Sequence, residues 1–396
     1  MSARPRIIVV SPYGREYGPP RTLEHVARAI RISGYEPVCV VPRGATVTPK
    51  LQEMEPEIHR VERLSTIPRT GNPRRLGAFI DDHFAAAGRI VEIAQTHGAA
   101  AIYSTSEAIF CGGIAARRLK VPSMAHVIGM SIASPRWGAA VYIRLLRSLN
   151  DTFVACSSAV ADMLESSGVA DGRITVVHNG IEVAEIDAAL AAGGAPVNGG
   201  GPRIGMFAAY DSRKGHELFV EAAARVARER PDARFFLVGA VLEGQAESTA
   251  FEQRVTRMVD SFGLGSRFVR PGYVPVPEVY RWIEAMDVIV VPSKTEAFAH
   301  ALLEAMACRR AVVATAIEGN LDAFVDGHSG VYVPRSGAAL ARAITSLLAD
   351  PDRRERLGAA ARSRVELLFD INVTLSCLAD AVQAALDGST PARAAA

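Results

Sequence analysis

Residues 287–319 read DVIVVPSKTEAFAHALLEAMACRRAVVATAIEG, an apolar strand, a polar turn and a helix in succession. The β-branched, almost uncharged run from Asp287 to Pro292 is typical of a strand covered on both faces of a parallel sheet, and Ala299 to Ala307 contains good helix formers. Glu296 falls in the turn and Glu304 about two helical turns into the helix. In open α/β sheets, ligands bind at the carboxyl ends of the strands, beside helix amino-termini that attract phosphate. A carboxylate accepts hydrogen bonds from two neighbouring hydroxyls, so we predict that one glutamate binds a ribose and the other a hexose.

Length and composition predict an ordinary globular protein of two or three domains. The chain has 396 residues, 49% of them hydrophobic, and a net charge of +2, which gives no indication of nucleic-acid or acidic partners. It contains no apolar stretch of the ~20 residues that span a membrane, and its start leads directly into a strand, so we expect a cytoplasmic protein. The five cysteines are scattered without zinc-type spacing and are expected to be buried free thiols.

Strands alternate with helices twice along the chain, which predicts two Rossmann-like units. The strands of the first unit are predicted at residues 6–10, 37–41, 100–103, 124–127 and 153–155, and those of the second begin at residues 203–208 and 234–238. Residues 191–203, AAGGAPVNGGGPR, contain too little apolar surface to pack and are predicted to connect the units.

An ordered set of motifs resembles the nucleotide-sugar signature of the retaining family 4 glycosyltransferases. The motifs are Val177-His178-Asn179-Gly180-Ile181, Gly205 leading to Lys214-Gly215, Phe268 to Gly272, Pro292-Ser293-x-x-Glu296-x-Phe298, Leu303-Glu304-Ala305-Met306-Ala307, Ala311-Val312-Val313-Ala314-Thr315 and Asp326-Gly327-x-x-Gly330-Val331. The order of the set is more specific than any single motif.

The resemblance implies a GT-B fold, in which two Rossmann-like domains with parallel sheets face an interdomain cleft. Residues 1–182 would form the acceptor-side domain and residues 183–370 the nucleotide-sugar-binding domain. A helix at residues 371–387 would return to the first domain, and residues 388–396 would be a flexible tail.

The resemblance also implies a function, the transfer of a sugar from a nucleotide-sugar donor to a hydroxyl of a small molecule, glycan or natural product. The anomeric configuration would be retained. The donor would be a co-substrate, with a UDP-sugar favoured, and neither a metal nor another cofactor is expected. The acceptor would attack on the face that the leaving phosphate occupies, and this phosphate would take the acceptor's proton while the enzyme stabilises the charge.

The resemblance also implies which residues of this sequence form the site, because their positions match those of the family's functional residues. The expected catalytic residues are His126, Lys214 and Glu296. The expected donor-binding residues are Gly18, Arg213, Lys214, Glu296, Phe298, Ala299, His300 and Glu304, and the expected acceptor-side residues are Tyr13, Arg21, Glu107 and Met130. Simpler interpretations remain for three of these: Lys214 as a solvated lysine, His126 as a buried core histidine and Gly18 as a turn glycine.

The chain departs from the family pattern at Ala209, where family members commonly have an arginine. Arg213, beside Lys214, is the residue expected to supply the missing charge. If it does not, the site is weakened. Ala297 and Ala299 also stand where the family often has glycine. These departures leave open a nucleotide-sugar isomerase of the same fold or a catalytically silent binding protein.

Two further patterns have competing interpretations. Asp350-Pro351-Asp352 fits the D-x-D pattern that holds a metal diphosphate, but a capped turn between helices explains it better. The basic, amphipathic segment from Arg136 to Arg147 suggests contact with a membrane surface, although a helix between core elements is favoured because a strand follows.

Overall fold

The computed structural model describes residues 4–13, 19–68, 72–129, 136–194, 197, 199–242 and 245–389. The chain divides into two compact units. The first contains the residues up to 178 together with those from 372 onward, and the second contains residues 179–371. The sequence predicted that residues 191–203 connect the two units. The described part of this segment instead lies inside the second unit.

The first unit is built on a seven-stranded sheet in the order β3-β2-β1-β4-β5-β6-β7. Each neighbouring pair is parallel. The strands are β1 Arg6–Val10, β2 Glu36–Pro42, β3 Glu57–Val61, β4 Ala99–Ser104, β5 Ser123–Val127, β6 Thr152–Ala155 and β7 Ile174–Val176. The helices between them are α1 Pro19–Ile32, α2 Pro49–Glu53, α3 Pro73–His97, α4 Cys111–Leu119, α5 Arg136–Leu149 and α6 Ser158–Ser166.

The second unit repeats this plan with a six-stranded parallel sheet in the order β10-β9-β8-β11-β12-β13. Its strands are β8 Arg203–Phe207, β9 Arg234–Val238, β10 Phe268–Gly272, β11 Val288–Val291, β12 Ala311–Thr315 and β13 Val331–Val333. Its helices are α7 Val183–Ala191, α8 His216–Glu229, α9 Ala246–Ser261, α10 Val276–Glu284, α11 His300–Ala307, α12 Gly337–Ala349 and α13 Pro351–Leu368, and α14 Ile371–Asp387 follows. The predicted α/β fold of two Rossmann-like domains is confirmed.

The residue types explain why these strands are buried and where the helices begin and end. All residues of β11 and β12 are buried, as their β-branched runs predict for strands inside a parallel sheet. Asn72 caps α3 by accepting a hydrogen bond from the Arg74 amide, and Gly98 ends this helix in the left-handed conformation, φ 57°. Asp350 caps α13 by accepting from the Arg353 amide at 2.9 Å, so Asp350-Pro351-Asp352 is a capped turn between helices.

The remaining predictions have mixed outcomes. The free thiols are confirmed, although Cys377 is only half-buried while the other four are buried. Residues 136–149 form a helix that leads into β6, with Tyr142, Ile143 and Leu146 buried and Val141 exposed. No helix in the described part of the chain is long and apolar enough to cross a membrane.

The strand orders define where each sheet can bind a ligand. In both sheets the connections reverse direction between two neighbouring strands, β1 and β4 in the first and β8 and β11 in the second. At such a point the loops leave the two carboxyl ends in opposite directions and open a crevice.

Candidate active site

The reversal point of the second sheet brings Lys214 and Glu296 together. Lys214 follows β8 and Glu296 follows β11, two strands that pair in parallel. The Lys214 ammonium donates a hydrogen bond to Oε1 of Glu296 at 2.7 Å, and the side chains are 34% and 13% exposed. Two residues 82 positions apart in the chain therefore form one charged pair at the carboxyl edge of the sheet.

Gly215 allows these two loops to approach each other. Its φ is +79°, and a Cβ at this position would lie 1.9 Å from the carbonyl oxygen of Pro292. A side chain is therefore excluded both by the backbone conformation and by the contact. The Lys294 amide donates to the Arg213 carbonyl at 2.7 Å beside it, so backbone as well as side chains join the loops.

The turn that carries Glu296 is fixed from several sides. The Ser293 hydroxyl donates to Oε1 of Glu296 at 2.9 Å, and the Thr315 hydroxyl donates to the Ser293 carbonyl at 2.6 Å. Gly319 packs directly against the turn, because a Cβ there would lie 2.0 Å from the Glu296 carbonyl oxygen. The position of the Glu296 carboxylate is thus set before any ligand binds.

Helix α11 begins beside this pair. Ala299 is its N-cap and supplies no side-chain cap, so the first amides of the helix have no hydrogen bond from their own N-cap side chain. Glu304 is the fifth residue of α11 and half-buried, one turn from the helix start rather than two, because residues 293–299 form the turn. His300 is half-buried at the first position of the helix.

Phe298, expected as a donor-binding residue, packs its side chain into the core of the second unit. It is 5% exposed, and its ring packs against Phe369 with a centroid distance of 5.4 Å. Its carbonyl accepts from the Asn179 side-chain amide at 3.2 Å. Phe298 therefore anchors the start of α11 in the core.

Arg213, the expected substitute for the missing arginine, is paired with Asp211. The guanidinium donates to both carboxylate oxygens, at 3.0 Å from Nε to Oδ1 and 2.6 Å from Nη2 to Oδ2. Burial favours a raised pKa for Asp211, but the hydrogen bonds from Arg213 outweigh it and lower the pKa to about 2. The side chain of Arg213 remains 44% exposed.

Two features of this site were not predicted from the sequence. Lys294 lies in the turn before Glu296 and donates to Glu217 on α8 at 2.7 Å, so a further cation stands beside the pair. His216 is buried at the start of α8 and stacks on Tyr210 with a centroid distance of 4.9 Å. Burial lowers the pKa of His216 to about 4, so its ring is neutral at pH 7.

His126 in the first unit lies on β5 near the carboxyl edge of its sheet and is 4% exposed. Its Nδ1 is 3.1 Å from the Tyr103 hydroxyl, and its Nε2 has no partner among the described residues. Burial lowers the pKa of His126 to about 4. The ring is therefore neutral at pH 7 and cannot act as a fixed cation there.

The described acceptor-side residues lie in loops at the reversal point of the first sheet or on α1. The Tyr13 hydroxyl is 3.1 Å from that of Ser106, which joins the loops after β1 and β4. Glu107 is buried and accepts from the Ile128 amide at 2.9 Å, and burial raises the pKa of this carboxyl. Arg21 is half-buried on α1. Gly18 and Met130 lie outside the described residues.

Family models match both halves of the chain. Residues 18–185 match Glycosyltransferase Family 4, and residues 194–364 match Glycosyl transferases group 1. The chain belongs to the family 4 glycosyltransferases. The second match includes the Lys214–Glu296 pair and α11.

This glycosyltransferase-family chain is similar to curated and solved proteins. A D-inositol 3-phosphate glycosyltransferase of Kribbella flavida is 36% identical over 152 residues, which are 37% of this chain and 35% of the relative. A glycosyltransferase from Rickettsia africae has a TM-score of 0.79 at 21% identity and covers 98% of this chain and 100% of its own. Anabaena HepE in complex with UDP has a TM-score of 0.77 at 18% identity, over 96% and 100% of the two chains. The chain spans between 35% and 60% of the length of the curated relatives that it matches.

Proposed function

We propose that this protein transfers a sugar from a nucleotide-sugar donor to an acceptor hydroxyl, and that the second unit binds the donor. The observation that carries the proposal is the 2.7 Å pair between Lys214 and Glu296 at the reversal point of the sheet, next to the start of α11. Family membership supports it. The similar fold of HepE, which was solved with UDP, makes a UDP-sugar the first donor to test.

In the proposed complex the charged pair is exchanged for contacts with the donor. The diphosphate accepts hydrogen bonds from the Lys214 ammonium and from the first amides of α11, where the helix dipole favours negative charge. Glu296 is then free to accept hydrogen bonds from the hydroxyls of the sugar. Glu304, one turn into the helix, accepts from the ribose hydroxyls.

The proposed chemistry is retaining and independent of metal. The bond between the anomeric carbon and the phosphate oxygen breaks through an oxocarbenium-like state. The acceptor oxygen bonds to the anomeric carbon on the same face, and the leaving diphosphate takes the proton of the acceptor hydroxyl. Fixed cations that stabilise the leaving group reduce the barrier because the negative charge on the diphosphate grows in the transition state. Lys214 supplies one such cation, and Arg213 supplies a second if its bond to Asp211 opens.

One observation favours a second candidate, a protein that binds the nucleotide sugar without transferring it. Arg213 is held by both oxygens of Asp211, and Ala209 provides no charge in its place. Such a protein would bind nucleoside diphosphates through the same residues but show no turnover.

A panel of nucleoside diphosphates in a thermal-shift assay tests the donor site, because a ligand that binds only the folded state raises its melting temperature. The diphosphate that stabilises the protein then defines the donor sugars for a turnover assay. We expect Lys214→Gln to abolish the shift. Lys120→Gln, which changes an exposed lysine of the first unit, is the matched control and should keep it.

Three outcomes separate the alternatives. Transfer to an added acceptor supports the glycosyltransferase. Epimerisation of the nucleotide sugar, or release of its nucleotide, in the absence of an acceptor supports an isomerase. Binding of the nucleotide without any turnover supports the silent protein. If no diphosphate raises the melting temperature, the proposed donor site is wrong.

A further inference from the structure

Three side chains converge at the amino edge of the first sheet. Glu57 and His59 lie on β3, and His97 is the last residue of α3. Oε1 of Glu57 is 3.1 Å from Nε2 of His59 and 3.1 Å from Nε2 of His97, and the two Nε2 atoms are also 3.1 Å apart. The three atoms therefore form an equilateral triangle.

The backbone fixes this arrangement. Glu57 and His59 are two positions apart on one strand, so their side chains leave the same face of the sheet. Gly98 ends α3 directly after His97 in the left-handed conformation, which fixes the backbone position of His97 at the end of the helix. The side chain of His97 is 7% exposed, that of His59 31% and that of Glu57 47%, so the triangle lies at the protein surface and is open to solvent on one side.

No placement of protons on the two rings gives all three atoms of the triangle a good hydrogen bond within the triangle. If both rings carry their proton on Nε2, two donors face each other across 3.1 Å. If only one ring does, the carboxylate and the second ring nitrogen present lone pairs to a single proton. A cation bound by the three atoms satisfies all of them at once, because each can then direct a lone pair at the same positive charge.

The geometry points to a site for a divalent transition metal, and we propose that Glu57, His59 and His97 bind zinc. An ion about 2.1 Å from each corner would lie about 1 Å above the plane of the triangle. Three ligands on one face of a tetrahedral site with such bonds are roughly 3.4 Å apart, so the atoms need to separate by only about 0.3 Å. Solvent completes the coordination on the open side.

Arg6 limits the affinity of this site. Its guanidinium contacts Nδ1 of His97. A neutral histidine that binds metal through Nε2 carries its proton on Nδ1 and donates it to an acceptor, usually a carboxylate or a carbonyl. Arg6 offers only donors, so metal binding requires its side chain to move away. Replacing Arg6 by a residue that accepts this hydrogen bond should therefore tighten binding.

The site lies apart from the acceptor-side loops. It is at the amino edge of the sheet, whereas Tyr13 and Glu107 follow the carboxyl ends of β1 and β4. Among the described strands, β3 is an edge strand that pairs with β2 alone, and it buries only Val61 among its five residues. A bound metal would fasten this weakly packed strand to the end of α3, so its role is structural and independent of sugar transfer.

Titration of the metal-free 396-residue chain with Zn²⁺ tests the proposal by calorimetry and by thermal unfolding. We expect one equivalent of Zn²⁺ to bind and to raise the melting temperature. His59→Ala should weaken binding at least about 100-fold and remove the rise. His328→Ala removes an exposed histidine from the second unit and should change neither. Arg6→Gln, whose amide oxygen accepts the Nδ1 proton, should bind about tenfold more tightly.

Cobalt(II) provides a second signal that does not depend on stability. Bound by two ring nitrogens and a carboxylate, it should show the visible absorption of a low-symmetry site, and this absorption should be absent in His59→Ala. The proposal is wrong if wild type binds no Zn²⁺, or if His59→Ala or Glu57→Gln binds it as tightly as wild type. Far-UV circular dichroism of the metal-free variants confirms that each is folded.

Discussion

At the scale of single residues, small side chains decide whether the charged ones can meet. Lys214 reaches Glu296 because Gly215 places its backbone against the carbonyl of Pro292, and Gly319 packs against the other side of the same turn. A methyl group at either position would separate backbones that touch. The glycines therefore belong to the site as much as the charges do.

Gly215→Ala tests this contact. The new Cβ would lie 1.9 Å from the Pro292 carbonyl oxygen at a φ of +79°. We expect a loss of about 2 to 4 kcal/mol in the free energy of unfolding, from positive φ and collision together, and weaker nucleotide binding. Urea unfolding and calorimetry measure the two effects.

Gly263→Ala is the matched control, because Gly263 has a φ of +67° but no atom within 4 Å of its virtual Cβ. It should cost only about 1 kcal/mol and leave nucleotide affinity unchanged. Equal effects of the two substitutions would show that the contact with Pro292 contributes nothing.

Glu304→Gln tests the ribose contact. The amide keeps the shape of the side chain but loses charge-assisted acceptance, so the affinity for a nucleoside diphosphate should fall by ~1.5–3 kcal/mol. The variant should also discriminate less against 2′-deoxy and 3′-deoxy ligands. Glu318→Gln, an exposed glutamate of the same unit, is the control in the calorimetric titration. Unchanged affinity in Glu304→Gln would remove Glu304 from the site.

Arg213→Ala tests whether this arginine takes part in turnover. If its bond to Asp211 opens to the diphosphate, turnover should fall by about 10²-fold, as when one oxyanion donor is removed. Arg230 forms a similar surface pair with Asp232, two positions along the chain, so Arg230→Ala measures the loss of such a pair away from the site. Turnover near wild type in Arg213→Ala would mean that Arg213 only braces the turn.

At the scale of elements, buried aromatic and histidine rings join helices α3 and α4 of the first unit. His83 on α3 stacks on Phe110 with a centroid distance of 4.5 Å and is 2.9 Å from the Phe79 carbonyl. Its Nε2 has no partner among the described residues, and burial lowers the pKa of His83 to about 4. The ring is thus packed in its neutral form.

Acid should therefore destabilise the fold through this histidine. In the unfolded chain His83 takes up a proton near pH 6.5, whereas the folded protein resists this until about pH 4. Its contribution to stability is complete above pH 6.5 and falls by up to about 1.4 kcal/mol per pH unit between those values. Urea unfolding at pH 7.5 and 5.5 should show a smaller loss for His83→Phe than for wild type. The exposed His328→Phe should match wild type, and equal losses in all three proteins would contradict the assignment.

At the scale of the whole molecule, each unit has its own sheet and buries its own core. All described residues proposed for the donor lie in the second unit. Binding of a nucleoside diphosphate should therefore slow backbone hydrogen exchange most strongly in peptides that cover residues 211–217 and 293–304.

Mass spectrometry with and without the diphosphate measures this protection, and Glu304→Gln should reduce it at the same ligand concentration. Protection that is strongest in strands β1 to β7 would place the nucleotide in the first unit instead.

The alternation of strands and helices could be predicted from the sequence alone. Strands buried inside a parallel sheet are continuous apolar runs, such as Val288–Val291, and can be recognised without knowing which strands lie beside them. Strands β3, β7, β10, β12 and β13 were not predicted from the sequence. Strand β3, EIHRV, lies at a sheet edge and buries one residue, so its composition carries little apolar signal. The sequence also named Lys214, Glu296 and Glu304, because a local motif pattern contains them.

Which of these residues contact one another follows from the folded chain and not from the sequence pattern. Lys214 and Glu296 are 82 positions apart, and strand order makes them neighbours. Thr315 and Gly319, which support the turn, are also brought to it by the fold. His59 and His97 are 38 positions apart, and their spacing in the sequence does not indicate a metal site. Pairing across a sheet joins segments that are distant in the chain, and no local pattern records which segments those are.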